Sequence, residues 1–252
     1  MESLEGNWKE FFESGFYAEG WNFRIDSKRT FEEVEGVLKL LNPPPGAHIL
    51  DWCGGWGRHS LEFARRGFRV TLLDFARNHL ELAREQAELA GLSLELVCAD
   101  FRHTPSSIKA DFAVNLFTAG IGYLTEEDDV LALKSLYAAL KPGATFLLDT
   151  MNLFWLVKHY QSRGWEHDES GTKRLLEERE FDFWTNRNRS LTFLWKVEGG
   201  EMVRKTDHRI YSPAELAVIL RRAGFKPFQL FGDFDGRPFD FDSRRIVMIS
   251  RR

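Results

Sequence analysis

Between residues 47 and 152 the sequence alternates short apolar runs with helix-patterned segments, and this alternation limits the fold more than any other feature. Residues 47–51, 68–73 (ending at Asp74), 94–99 (ending at Asp100), 111–116 and 144–149 read as strands. Helices are expected over 57–66, 77–90 and 126–140, the last stopped by Pro142-Gly143. Strands that are apolar throughout, rather than at every second residue, are covered on both faces. The pattern therefore predicts a mostly parallel α/β sheet with helices on both sides.

The flanks read differently. The opening stretch is rich in aromatics (Trp8, Phe11, Phe12, Phe16, Tyr17, Trp21, Phe23), and a helix is predicted over 31–41 with Thr30 as its N-cap. After Asn152 a helix over 153–160 is followed by runs of period two at 175–183, 191–197 and 202–211, the signature of an antiparallel meander. Ser212, Pro213 and Glu215 then mark a capped helix start, Gly224 its end, and strands near 227–232 and 245–250 close the chain. The expected organisation is an N-terminal helical, aromatic cap (1–46), a core (47–152 with 209–252) and an inserted antiparallel β lid (165–208).

Net charge is −4, which argues against a long nucleic-acid partner gripped by a basic face. Cys53 and Cys98 are expected as buried thiols of a reducing compartment. No apolar signal core opens the chain and no uncharged run reaches membrane-spanning length, so the expectation is a soluble, cytoplasmic protein without a membrane partner. The seven histidines are scattered without ligand spacing, so no metal is expected. A homodimer is left open.

The chemistry concentrates in Asp51-Trp52-Cys53-Gly54-Gly55-Trp56-Gly57-Arg58-His59. A strand feeding a glycine turn and a helix brings backbone close to a ligand and aims helix N–H groups at it. Gly55-x-Gly57-x-x-Ser60 alone fits a relaxed dinucleotide fingerprint equally well. Three acids shift the balance. Asp51 beside the turn would repel a pyrophosphate but accept an ammonium or sulfonium. Asp74 ends the second strand, placed for ribose hydroxyls, and Asp100-Phe101 follow the third, placed for an adenine amine and ring. The carboxyl edge of a parallel sheet is where ligands bind.

On these motifs the chain resembles the class I S-adenosylmethionine-dependent methyltransferases, over about 47–152 and 209–249. The resemblance implies a Rossmann-like seven-stranded, mostly parallel sheet with S-adenosyl-L-methionine as cofactor. It places Asp51, Cys53, Gly54, Gly55 and Gly57 at the methionine part, Asp74 with Phe75 at the ribose, Asp100 and Phe101 at the adenine, and Asn115 and Leu116 at the amino acid part. Cys53 stands where a glycine is usual, although a subset of the family has Cys there with Arg-His after the last glycine, as in Arg58-His59. Trp56 stands where a small residue is usual, and either packs under the helix or shields the cofactor.

The segment after the fourth strand lacks the Asn/Asp-Pro-Pro-aromatic motif of base-modifying enzymes, so a small-molecule acceptor, methylated on nitrogen or oxygen, is expected. Insertions before the last helix resemble those of small-molecule N-methyltransferases. Tyr17, Tyr123 and Arg209 are candidates for substrate binding, and His208 or Tyr211 for catalysis; Tyr17 and Arg24 either close over the cofactor or serve helix packing. Three alternatives stand beside this reading. A nicotinamide oxidoreductase fails on the fingerprint. A cofactor-binding protein without transfer activity is not excluded by any required residue. An RNA methyltransferase would use Arg187, Arg189, Lys205 and Arg209 as a local basic patch.

Overall fold

Every residue of β1 (His48–Trp52) is buried, and its side chains divide between two cores. Ile49 joins Val70, Val114 and Leu147 beneath helix α2 (Ser27–Leu41) and helix α3 (Arg58–Arg65). Leu50 and Trp52 point the other way, into the layer built by α5 (Glu126–Ala139) and, beyond the short α6 (Leu153–Lys158) in the chain, α7 (Pro213–Arg222). Alternation across a pleated strand sandwiched between helices requires apolar residues on both faces, which is why the sequence shows unbroken apolar runs. The computed structural model describes residues 4–14, 27–197 and 199–252.

Around β1 run β2 (Arg69–Asp74), β3 (Glu95–Cys98), β4 (Ala110–Asn115) and β5 (Leu140–Met151), with β10 (Lys226–Phe231) and β11 (Arg245–Arg251) at one edge. The order is β10-β11-β5-β4-β1-β2-β3. β3, β2, β1, β4 and β5 are parallel, whereas β11 runs antiparallel to both β5 and β10. The order reverses between β1 and β4, which opens a crevice at their carboxyl ends. Asp51 lies at that end of β1, level with Leu72 of β2 and Val114 of β4. Helix α4 (Arg77–Leu89) covers β2 through Leu80 and Ala83 on Leu72.

The second sheet is antiparallel, in the order β6 (Arg163–His167), β7 (Lys173–Asp182), β8 (Arg187–Lys196), β9 (Gly200–Arg209). Phe11 of α1 (Leu4–Glu13) packs on Leu175 and Leu194 of this sheet. The expected capping box is present: Ser212 accepts from the Glu215 N–H while Glu215 accepts from the Ser212 N–H, a stabilisation of about 1 kcal/mol.

Several expectations need correction. Helix α2 starts at Ser27, so Thr30 is an interior residue rather than the N-cap, and its hydroxyl accepts from Arg58. The strand β6 was not foreseen. Pro142-Gly143 do not separate α5 from β5 but lie inside the strand, where pairing with β4 shifts register between Ala110 and Phe112. Cys98 is exposed, not buried.

Candidate functional site

The turn after β1 is fixed by backbone geometry. Cys53 has a φ of 63°, which few side chains tolerate, and its N–H donates to the Leu73 carbonyl. Gly57, at φ 76°, heads α3, and a Cβ there would stand 2.9 Å from Leu72 Cδ2 and 3.1 Å from Ala83 Cβ. Gly57 is therefore required for helix–sheet contact and does not line the cleft, contrary to expectation.

The cleft in front of this turn holds about 750 Å³ of empty space, counted with its mouth. That is the scale of a small-molecule site. One wall is polar, with Asp51, Asp74, Arg58 and His59, and the other is aromatic, with Trp8, Phe12, Phe75 and Phe101. Cys53, Gly54, Gly55 and Leu116 complete the expected residues found there, and Trp56 also lines it, edge-on to His79 at 5.8 Å.

Asp74 Oδ2 accepts from the Gly55 N–H and Oδ1 from the Ala76 N–H, both at 2.9 Å. These backbone bonds lock the carboxylate in place, and an ionised carboxylate, with about four acceptor sites, has capacity to spare for a hydroxyl. Asp51 is 1% exposed and accepts from Ser60 Oγ at 2.7 Å; burial pushes its pKa up to about 6. Burial also raises the Cys53 thiol well above its usual value, with the neighbouring carboxylates Asp74, Asp51 and Asp100 adding to it, so it stays a neutral thiol.

A charge cluster braces the opposite side. Glu33 of α2, 6% exposed, binds Arg58 at 2.6 Å, His59 at 2.9 Å, Arg29 at 3.0 Å and Arg245 at 3.4 Å. Burial alone would raise its pKa; His59, Arg58 and Arg245 outweigh this and hold it far below the carboxylate range. His59, by contrast, is pushed down to about 4 by burial and is neutral. Arg245 also grips the buried Asp149, whose Oδ2 accepts from the Phe117 N–H at 2.7 Å. Phe117 and Thr118 have φ of 65° and 58°, two consecutive left-handed residues held in place by this anchor. The Phe117 ring sits between the guanidiniums of Arg29 and Arg58, 5.0 and 5.1 Å from its centre.

Arg58 carries the most telling atom. Nη1 is bound to Glu33 and Thr30, while Nη2 is buried with no hydrogen-bond partner. An unsatisfied buried donor is costly, and here it belongs to a residue lining a cleft that also holds Asp51. A carboxylate and a guanidinium side by side suit an amino acid head group, with Asp74 suiting a ribose and the aromatic wall a flat ring.

Other expected residues lie elsewhere. Asp100 does not line the cleft: Arg102, two residues on, bonds its carboxylate at 2.8 Å and through its own backbone N–H. Partial burial would raise Asp100, but these bonds prevail and lower it. Asn115 sits behind the lining, its Nδ2 donating to the Trp52 carbonyl at 2.7 Å. Tyr211 donates to Asp129 Oδ2 at 2.7 Å in the interior and reaches neither cavity. Arg209 is committed to Glu126 and Glu215 and likewise faces no cavity. Tyr17 and Arg24 fall outside the described residues.

The cleft meets a second, broader groove at Phe12, Phe117, Ala119 and Tyr123, which line both. His208 lines the groove and stacks on Tyr123, ring centres 4.5 Å apart. Its Nε2 lies 3.0 Å from the Ile121 carbonyl, which can only accept, so Nε2 bears the proton and Nδ1 the lone pair. Burial lowers its pKa to about 4 despite that hydrogen bond. Among the described residues no cluster of three or more His, Cys, Asp or Glu is arranged to hold a metal ion. None of the helices described is long and apolar enough to cross a membrane.

A sheet of this order, with a glycine turn and two acids at its switch point, defines a Rossmann-like protein that binds a nucleoside-bearing ligand. Residues 49–143 match the family model of the methyltransferase domain. The tRNA 5-carboxymethoxyuridine methyltransferase of Escherichia coli is 24% identical over 185 residues, spanning 72% of this chain and 69% of that protein. The structure of the CcbJ methyltransferase of Streptomyces caelestis superposes with a TM-score of 0.77 at 21% identity, covering 88% of each chain. CalS10, an amino pentose methyltransferase from Micromonospora echinaspora, superposes at 0.70 with 20% identity over 94% of this chain and 96% of that one. The chain carries a methyltransferase domain with the class I S-adenosylmethionine-dependent fold, as its sequence resemblance implied.

Proposed function

We propose that the protein methylates a nitrogen of a small, polar molecule that enters by the second groove. One observation carries this reading: the cofactor cleft and a groove lined on one side by Asn188, Ser190, Thr206 and His208 share the lining residues Phe12, Phe117, Ala119 and Tyr123. A methyl group presented in the cleft would meet an acceptor there.

Asp51 would hold the cofactor's ammonium, Arg58 its carboxylate, Asp74 the ribose hydroxyls, and Phe75 and Phe101 the adenine. The residues present fit that group, the unpartnered Arg58 Nη2 foremost. When bound, S-adenosylmethionine would supply a methyl group activated by its sulfonium, with a neutral thioether as the leaving group; the acceptor nitrogen would give up one proton to water. Phe12 and Tyr123 exclude water from the junction and align the acceptor, which supplies most of what such a transfer needs. His208, neutral near pH 7, offers its Nδ1 lone pair to an acceptor N–H.

Nitrogen is favoured over oxygen by the pKa values at the junction. His208, at about 4, is a weak base, and burial raises Tyr123 far above neutrality, so it remains a phenol. An alcohol oxygen would need a base to become a nucleophile, whereas an uncharged amine already is one. The amino pentose acceptor named for CalS10 is of this kind. An RNA acceptor has less support, because Arg187, Arg189 and Arg209 of the β hairpins are engaged by Asp207, Asp182 and Glu126. In this reading segment 1–46 caps the cofactor through Trp8 and Phe12, and the insertion 165–208 covers the acceptor.

Calorimetry with S-adenosylmethionine against NAD, followed by transfer of a labelled methyl to amines, alcohols and RNA, tests the proposal. Binding of the first alone and labelling of amines is expected; labelling of alcohols or RNA in preference to amines would overturn it.

A further inference from the structure

The groove wall contributed by the second sheet carries two polar atoms that the fold leaves without partners. Asn188 Oδ1 and the Tyr160 hydroxyl are both buried and unbonded. Both residues line the groove. They belong to one continuous surface: the Tyr160 ring packs edge-on against Phe181 at 6.0 Å, Phe181 is the cross-strand partner of Asn188, Asn188 is the partner of His208, and His208 stacks on Tyr123 at the cofactor junction. Directly opposed residues on neighbouring strands share a face within ~5.5 Å of each other. The unpartnered amide is thus one cross-strand step from the histidine at the transfer point.

Folding normally leaves few such atoms, because an unmet buried acceptor or hydroxyl costs stability. A ligand that completes them would recover that loss. The neighbouring groups define its charge. Ser190 and Thr206 present hydroxyls 2.6 Å apart, Arg179 is taken up by Glu177 and the Gln161 carbonyl, and Arg245 by Asp149 and Glu33. These charges are spent on one another, which leaves hydroxyl and amide groups beside Asn188, suited to hydrogen-bond donors rather than to phosphate or carboxylate.

We propose that Asn188 and Tyr160 form the acceptor-recognition subsite and select a hydroxylated amine, with the Asn188 carbonyl accepting from the amine or an adjacent hydroxyl and Tyr160 bonding a hydroxyl further along. This rests on the reading that the groove takes the methyl acceptor. The two residues determine specificity; neither exchanges a proton with the reacting nitrogen.

The test uses the full chain, S-adenosylmethionine labelled in its methyl group, and three probes: D-glucosamine, D-galactosamine and cyclohexylamine, which keeps the ring and amine but no hydroxyl. The wild type should methylate at least one aminohexose more than about tenfold faster, per unit concentration, than cyclohexylamine. Tyr160→Phe and Asn188→Leu should each raise the KM for the aminohexose by about 3- to 10-fold, the worth of one hydrogen bond, with kcat and the cofactor Kd unchanged. Their melting temperatures should equal or exceed that of the wild type, because an unmet polar atom has gone. A purely structural role predicts the reverse: lower melting temperature and unchanged KM, which would overturn the assignment. Equal use of cyclohexylamine, or no transfer to either aminohexose while the cofactor binds, would overturn the substrate class. Failure of the wild type to bind the cofactor would instead remove the functional reading beneath it.

Discussion

Replacing Glu33 by Gln should be among the most damaging single-atom changes in the molecule. The carboxylate is 6% exposed and touches three guanidiniums and an imidazole. The losses are unequal. Arg245 keeps Asp149, and Arg29, with 38% of its side chain exposed, can turn to water. Arg58 has 12% exposure, an Nη2 already unmet, and only the Thr30 hydroxyl left for Nη1. Leaving one buried charge uncompensated costs about 3–5 kcal/mol. Gln retains an acceptor oxygen and should fall near the lower end, about 3 kcal/mol. For a chain of this size that lowers the melting temperature by roughly 6–12 °C. The sign with pH follows from the depressed pKa of Glu33: its stabilisation is complete above its ordinary value of 4.5 and is lost as pH falls towards the much lower folded value. The gap between wild type and variant in urea unfolding should therefore be constant from pH 7 to about 5 and close below 4.5. Calorimetry should also show weaker S-adenosylmethionine binding, since Glu33 positions Arg58. A gap under about 1 kcal/mol at pH 7, or one that widens in acid, would refute the reasoning.

Three other outcomes are expected. With Asp51 at about 6 and a cationic ligand favouring its ionised form, cofactor affinity should fall about tenfold between pH 7 and pH 5, and Asp51→Asn should abolish that dependence; calorimetry across pH measures both. Tyr211→Phe removes the donor to Asp129 and should cost about 1.5–3 kcal/mol in thermal unfolding while kcat changes less than about twofold, since the hydroxyl faces no cavity. Gly122→Ala forces a side chain into φ 94° with its Cβ 2.4 Å from the Arg209 carbonyl oxygen. It should cost at least about 1–3 kcal/mol and reduce transfer more than cofactor binding, as read from parallel unfolding and rate measurements.

What could be read from the sequence follows from the range of the interactions involved. The parallel core was legible because strands buried on both faces leave unbroken apolar runs, and the capping box because its partners are three residues apart. Strand β6 was not: in Arg163-Gly164-Trp165-Glu166-His167 no residue is buried, so no periodic signal arises. Asp51 and Asp74 were found at the cleft, but Asp100 looked equivalent and is diverted by Arg102, a local competition that residue type does not reveal. His208 and Tyr211 were paired as candidates, yet β9 alternates its side chains. His208 faces the groove while Arg209 and Tyr211 turn towards α5, and only the former reaches a cavity. Glu33 left no trace, because its partners Arg58, His59 and Arg245 are 25, 26 and 212 residues away.

The segment Gly120-Ile121-Gly122-Tyr123 links the turn that lines the cleft to the strand that lines the groove. A Cβ on Gly120 would meet the Cys53 sulfur at 2.8 Å, and one on Gly122 would meet His208 Nε2 at 2.7 Å. The segment is thus clamped between the cofactor turn on one side and the acceptor wall on the other, with no room for a side chain at either contact. Its carbonyls hold β9: Ile121 fixes the His208 tautomer and Gly122 accepts from the Arg209 N–H at 2.8 Å. Asp129 anchors it from below, accepting from the Gly122 N–H at 3.0 Å and from Tyr211. Tyr123, at the end of this segment, stacks on His208, while Gly120 at the other end packs on Cys53. Close packing transmits a displacement rather than absorbing it. Occupancy of the cofactor cleft should therefore set the position of the acceptor wall, and a donor and an acceptor held by different sheets can meet in register.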